Sequence, residues 1–484
     1  REAVVERLQA SLLFLHEPVG SMQRRAVFCD LQTPLSAVAA MITAEQATAA
    51  LVRSEAAVVG IITDHDLRAR VVATAGDLNQ PAYQVMTSPL VTIDEHAQVY
   101  EALLRMEELG VQHLAVTDES GQVSGVLRNQ ELLQFQSYGA IVLNREIARA
   151  ATAAEVVRSC RRTPGLVQTL IDSGAHPDRI TRLISSVCDA ATERFIALAQ
   201  AELGPSPVPF AFVALGSQGR QEQTLFSDQD NAIIYQTPDG RETPEAAAYL
   251  VVLGRRVCGW LDQAGYPFCK GQVMAQNPRW CQPLGVWKQY FSEWIHKAEP
   301  QQLLEFSIFF DFRTVQGEAE LAQELRAHVH RVLQDSPSFL PHFAQNSLLF
   351  KPPLRLFGRI VAGGEQAGQL NLKDAMMPIV NFARLYSLRQ ELHETHTLER
   401  LAALAEHGVL PQESQEETAA AYNVLMRLRL RNQADDLQAG RDPSNVINTR
   451  KLRHHEETLV NQSFAQITAI QKRLSQDFLG GAIG

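Results

Sequence analysis

Residues 210–235, FAFVALGSQGRQEQTLFSDQDNAIIY, constrain the fold of this chain more than any other segment. FAFVALG (210–216) is an apolar run with the length and branching of a buried strand, and DNAIIY (230–235) reads as the next one. Between them the turn Gly216-Ser217 leads into QGRQEQTL, whose composition predicts one or two helical turns. A helix starting there points free backbone N–H groups toward the Gly-Ser turn, an arrangement suited to phosphate. Gly216 allows close backbone approach, and the Ser217 hydroxyl can donate to a phosphate oxygen. Asp228 and Asp230 stand two apart at the start of the second strand, so both carboxylates face the same side. Side by side they repel unless a cation lies between them. Mg²⁺ takes carboxylate and phosphate oxygens together, so the cradle and the carboxylates converge on metal-assisted in-line displacement at a nucleotide. A turn or N-cap role for the two aspartates would leave Gly-Ser, Arg220 and Glu222 without a reason.

The pattern G-S-x-x-R-x-E-x-x-x-x-S-D-x-D resembles the signature of the DNA polymerase beta-like nucleotidyltransferases. Within that superfamily it is similar to the group of the protein-PII uridylyltransferases. It most resembles the DUF294 set, which joins CBS pairs to this domain. The resemblance implies nucleotide phosphates at Gly216, Ser217 and Ser227, and metal at Asp228 and Asp230. Arg220 and Glu222 would brace the loop or contact the triphosphate; a structural ion pair beside the site is the other reading. Lys270 is a second candidate phosphate ligand, with a surface lysine as the plain alternative. The superfamily usually adds a third carboxylate from a later strand, and the segment expected to be that strand, YPFCKGQVMAQ (266–276), contains no acid. Asp311, in SIFFDFRTVQG, is the remaining candidate for a third metal ligand; a buried contact with Arg313 is the alternative.

Slid on itself by 65 residues, the N-terminal region matches: GIITDHDL (60–67) falls on GVLRNQEL (125–132), and Met41 on Met106. A fixed period with two copies means two similar units that pack together. The pair, about residues 24–137, resembles a tandem of CBS domains. In that family a G-h-h-T-x-x-D ending holds the ribose of an adenine nucleotide or related adenosyl ligand. Gly60, Thr63 and Asp66 fit it, whereas Arg128 and Glu131 depart from it, so the resemblance implies one good site, with Arg68 and Arg70 in reach of phosphates. A packing unit without ligand is the other reading.

The remaining segments are helical in pattern. Residues 139–203 keep apolar residues at three- and four-residue spacing, and from about 318 onward the chain is helical, with NLKDAMMPIVNFARLYSLRQELHE (371–394) started by Asn371 or Asp374. The tryptophans of NPRWCQPLGVWKQYFSEWI read as core, with a base-stacking platform as the alternative. His393, His396, His454 and His455 read as solvated helix-face residues.

The fold class expected is α/β plus all-α. An N-terminal helix spans 1–23, the tandem CBS pair 24–137 and a helical linker 138–203. A polymerase beta-like nucleotidyltransferase domain spans 204–317, and a C-terminal helical bundle 318–484 resembles a substrate-binding domain. The net charge of −10 and the lack of a dense Lys/Arg run argue against nucleic acid or anionic lipid as main partner, and no apolar run is long enough to span a membrane. Six scattered cysteines without C-x-x-C fit a reducing cytoplasm rather than a disulfide framework or a zinc site. The chain begins with Arg, which is expected of a fragment of something longer. The function expected is NMP transfer from ATP or UTP, with Mg²⁺, to a hydroxyl of a protein or small molecule. AMP, ADP or ATP at the CBS pair would set the activity, and the chain would be a homodimer. The alternative is an inactive nucleotide sensor.

Overall fold

The computed structural model describes residues 18–128 and 142–480, except 22–23, 46, 56, 75, 98, 119, 238–242, 350–354, 357–358 and 361–367. The expected N-terminal helix, up to residue 17, and Glu131 lie outside the described residues. The chain forms two compact units, Arg1–Gly139 and Ala140–Gly484.

In the first unit, the strand Val27–Asp30 runs parallel to Ala49–Ser54, which pairs antiparallel with Ala57–Thr63. The second copy repeats this arrangement: Thr92–Asp94 runs parallel to His113–Thr117, which pairs antiparallel with Val123–Arg128. The helices Leu35–Ala44 and Val99–Leu109 occupy matching places. Each sheet keeps an apolar face that its own helix does not cover. Leu51 and Ile61 of one sheet and Ala115 and Val126 of the other close that gap in a shared core. The sequence repeat is therefore also a spatial one: Thr48 Oγ1 lies 3.2 Å from Nε2 of its counterpart His113, 65 residues on.

The second unit begins with helices. Thr152 caps Ala153–Cys160, accepting from the Glu155 N–H, and Pro177 opens the long helix Pro177–Leu203, which ends at Gly204 with φ 87°. The sheet that follows has the order Cys281–Pro283, Asn231–Tyr235, Phe210–Ala214, Arg313–Gly317. The first pair is parallel and the other two are antiparallel. Every residue of Phe210–Ala214 and Asn231–Tyr235 is buried, which requires cover on both faces. Two helix pairs provide it: Pro177–Leu203 with Pro244–Gln263, and Leu284–Lys297 with Ala319–Gln334. Trp280, Trp287 and Trp294 pack around Phe309 with ring centroids 4.4, 5.4 and 5.3 Å away. They are buried core, not a base-stacking platform.

Two local expectations fail for physical reasons. Residues 266–276 form no strand; Gly265 at φ 104° and Gln272 at φ 56° bend the segment, and only Phe268 bridges to Gln229. QGRQEQTL does not continue as a helix: a single turn, Gly216–Gly219, ends at Arg220, and Gln221 takes a left-handed φ of 57°. The turn is held from below at Gly219, where an added Cβ would lie 1.8 Å from the Asp311 carbonyl oxygen. Backbone cannot yield as a side chain can. Gly219→Ala is expected to lower stability by about 1–3 kcal/mol, read from urea unfolding, because the loop must lift off its support.

The C-terminal helices are Leu372–Arg389, Thr397–Glu406, Gln412–Gln438 and His454–Leu479. Asn371 starts the first of them, its side chain accepting from the Lys373 and Asp374 N–H groups at 3.0 and 3.4 Å. His393, His454 and His455 are exposed, but His396 is not the solvated residue expected. It is 1% exposed, its Nδ1 accepts from the Leu398 N–H at the helix start, and its Nε2 lies 2.9 Å from Asp178.

Candidate active site

Gly216 sits where the sheet strand Phe210–Ala214 hands over to its turn, with φ 54°. A Cβ there would lie 3.1 Å from an Asp230 carboxylate oxygen, so glycine is what lets the turn approach the aspartate. Asp228 and Asp230 line one cavity, while Gln229 between them points inward and donates to the Cys258 and Tyr266 carbonyls at 3.0 and 3.1 Å. The alternation expected of an extended segment is thus present just before the strand Asn231–Tyr235. Ser227 lines the same cavity, and its hydroxyl accepts from the Thr224 N–H at 2.9 Å. Burial and the neighbouring Asp228 push the Asp230 carboxyl up to about 6.

Arg220 and Glu222 also reach the cavity wall, and they are tied to each other: Arg220 Nε donates to Glu222 at 2.8 Å. The other Glu222 oxygen accepts from the Thr397 N–H at 2.8 Å. Burial opposes its charge, but Arg220 and the other partners hold the carboxyl below its ordinary value. Arg220 Nη1 donates at 2.9 Å to Asp311. The same carboxylate takes Arg384 Nε at 3.2 Å and pairs with Arg400 at 2.8 Å.

Asp311 therefore does not serve as the third metal ligand. It is 0% exposed, does not line the cavity, and both of its oxygens are engaged by three guanidiniums. The alternative contact with Arg313 is not formed either: Arg313 donates to Asp189 of the long linker helix at 2.7 Å. Lys270 is exposed and lies off the cavity wall.

Three features escaped the sequence. The group that joins the two aspartates is Cys269, whose sulfur and the two carboxylates lie within 4.8 Å of one another. Besides Arg220, the cavity's cations come from the helical domain: Lys373, Arg384 and Arg429. Its apolar side comes from Leu304, Ile308, Met376, Met377, Val380 and Met426. Cys269 lay in the segment searched for an acid, and Lys373 directly follows the cap and first residue of a recognised helix; nothing in one sequence brings the distant Arg429 to the same place. The cavity holds about 470 Å³, within the range of small-molecule and cofactor sites.

The residues present fit a divalent cation. Two carboxylates with no ion pair to a basic side chain among the described residues supply oxygen ligands, and the cavity leaves room beside them for phosphate oxygens.

In the first unit a cavity of about 600 Å³ gathers Thr63, Asp66, Arg68, His113 and Arg128. Asp66 accepts from the Thr63 N–H at 2.9 Å and hydroxyl at 2.7 Å, so the T-x-x-D ending closes on itself as a helix cap. Arg70 does not line this cavity; it is turned aside to the Val85 carbonyl at 2.8 Å. Arg128 lines the cavity in place of a threonine and donates to Thr48 at 3.1 Å.

This architecture, a small mixed sheet with a Gly-Ser turn and paired aspartates under a helical domain, is that of a nucleotidyltransferase domain carried in one chain with a CBS pair. Family models place it further. Residues 161–301 match "Putative nucleotidyltransferase DUF294", residues 337–478 match "Putative nucleotidyltransferase substrate binding domain", and residues 19–73 and 82–138 match the CBS domain. The chain is a CBS-pair protein with a DUF294 domain and its C-terminal companion.

Among curated proteins, the chain is 27% identical over 134 residues to an uncharacterised protein of Methanopyrus kandleri, covering 27% of this chain and 68% of that one. It is 24% identical over 283 residues to the bifunctional glutamine synthetase adenylyltransferase/adenylyl-removing enzyme of Nocardia farcinica, covering 56% of this chain and 26% of that one. The chain thus spans about two thirds of the first relative's length and about a quarter of the second's. A CBS domain protein of Pyrobaculum aerophilum, solved in complex with AMP, matches at 23% identity and a TM-score of 0.22, over 24% of this chain and 89% of that one.

Proposed function

We propose that this chain is a cation-dependent nucleotidyltransferase that moves NMP from ATP or UTP to a hydroxyl of a protein or small molecule. The observation that carries this reading is one cavity with two carboxylates on one wall, neither in an ion pair with a basic side chain among the described residues, and Lys373, Arg384 and Arg429 on another. That charge pattern suits a nucleotide triphosphate with its cation better than any neutral ligand.

In this reading Asp228 and Asp230 hold the cation, which when bound would neutralise charge on the reacting phosphate. Gly216 and Ser217 seat the phosphates, and Lys373 and Arg429 draw the remaining phosphate charge toward the helical domain. The acceptor oxygen bonds to the α-phosphorus as the α–β bridging oxygen leaves with pyrophosphate. The displaced hydroxyl proton passes to water, since Glu222 is held ionised by Arg220 and is a weak base. Arg220 and Glu222 position the turn rather than touch the reacting atoms. Labelled NMP appearing on an acceptor, with pyrophosphate released, tests turnover.

One observation favours a second reading, a nucleotide sensor without turnover. The only further carboxylate on the described cavity wall, Glu222, is committed to Arg220 and the Thr397 N–H. Nucleotide binding without pyrophosphate release would select it.

The CBS pair takes an adenine nucleotide at Thr63 and Asp66 in this account, with Arg68 and Arg128 at its phosphates, and sets the activity of the second unit. The chain works as a homodimer in the cytoplasm. A Thr63→Val/Asp66→Asn variant is expected to weaken AMP binding about 10–100-fold by calorimetry, the worth of one or two hydrogen bonds to a ribose. Unchanged AMP affinity would leave the pair as a packing unit.

A further inference from the structure

The third group beside Asp228 and Asp230 is a thiol, and its place is fixed by backbone. Phe268 bridges in parallel to Gln229, which sets Cys269 beside Asp230. The Gln229 N–H donates to the Pro267 carbonyl at 3.0 Å on one side, and the Asn231 N–H to Val273 at 3.2 Å on the other. The Gln272 N–H closes the turn on the Cys269 carbonyl at 3.0 Å. The loop is backed by Gly254 of the helix Pro244–Gln263, where a Cβ would lie 2.5 Å from the Ala275 carbonyl oxygen. Cys269 is thus placed by backbone bonds on both sides, with its thiol hydrogen-bonded to Asp230, and it is the one cysteine in the described metal-ligating cluster.

We infer that Asp228, Asp230 and Cys269 form a three-ligand site for a borderline-soft divalent cation of the zinc class, with the Cys269 sulfur in the position where a third carboxylate was expected. This rests on the proposed function only for the presence of a cation at Asp228 and Asp230. Oxygen-only sites suit Mg²⁺; adding a thiolate moves preference toward Zn²⁺, Co²⁺ and Cd²⁺. On binding, the thiol proton leaves to solvent as a sulfur lone pair forms the metal bond, and no electrons are exchanged. Asp228 and Asp230 line the cavity, so water or phosphate oxygens in it would be able to complete the coordination of a bound cation.

The test is a Co²⁺ titration of the full chain, read by the thiolate-to-cobalt charge-transfer absorption in the near ultraviolet, with Cd²⁺ as a second probe. The wild type is expected to develop the band. Cys269→Ser, checked to melt as the wild type does, is expected to lose it, with Cd²⁺ affinity at least about tenfold weaker. Cys269→Asp is expected to lose the band and bind Mg²⁺ more tightly, since it supplies the oxygen ligand the site lacks. No band in the wild type, or a band that survives Cys269→Ser, overturns the inference. Cation-dependent nucleotide binding with no sulfur band sinks this inference and leaves the proposed function standing; a sulfur band with no nucleotide binding does the reverse.

Discussion

Asp311→Ala is expected to destabilise the second unit by about 3–5 kcal/mol, the cost of stranding buried cations by removing their shared counter-charge. The carboxylate is fully buried, and Arg384 and Arg400 beside it are each 1% exposed. Burial alone would push its carboxyl up, but Arg384, Arg400 and Arg220 hold it far below the usual carboxylate range. Arg220 belongs to the Gly-Ser turn segment, Arg384 to the helix Leu372–Arg389, and Arg400 to Thr397–Glu406. Asp311 is one of the points at which the sheet domain and the helical domain are fastened together, so the variant should loosen the cavity between them as well as the fold. Asp311→Asn keeps the shape but not the charge and should lose nearly as much. A folded pKa below the unfolded one gives stability that is complete above the unfolded value, ~3.9, and is lost progressively as pH falls from there toward the lower folded value. The melting temperature of the wild type should therefore hold down to mildly acidic pH, while that of the variants is low throughout. Differential scanning calorimetry checks both. A variant that melts within a degree or two of the wild type would mean the three arginines find other partners.

Legibility in the sequence followed the range of the interactions. Gly216, Asp228 and Asp230 were readable because turn chemistry and strand alternation act over a few residues. The repeat was readable because each copy carries the same local pattern. The helices from Leu372 onward followed from apolar spacing and the Asn371 cap. What failed was decided by contacts far along the chain. Asp311 read as a third metal ligand or a buried partner of Arg313; it is instead Arg220 and, from the next domain, Arg384 and Arg400 that make it a structural anchor. Residues 266–276 have strand-like composition, yet left-handed Gln272 and Gly265 bend them into the loop that brings in Cys269. His396 looked like a surface histidine on its own helix; it is buried, and its partner Asp178 lies in the linker.

The second large effect is expected at the paired aspartates. Asp228→Asn/Asp230→Asn removes the two charges proposed to hold the cation, and is expected to cost at least about 100-fold in nucleotide affinity. Stability should move the other way. The Asp230 carboxyl is raised to about 6 by burial and by Asp228, so its ionised form is a burden on the folded state at neutral pH, lessened as pH falls through that value. The variant should melt no lower than the wild type, and a loss of binding is then not a loss of fold.

The most direct measurement is calorimetric titration of the full chain with ATP and with UTP, with and without Mg²⁺ or Mn²⁺, against the same titrations of Asp228→Asn/Asp230→Asn. Any binding at the CBS pair would be common to both proteins and would cancel in the comparison. The account predicts a cation-dependent binding event in the wild type that the variant lacks. Identical isotherms for the two proteins, with every nucleotide and either cation, would contradict it, and would leave the cavity at Gly216 and Asp228 without a nucleotide.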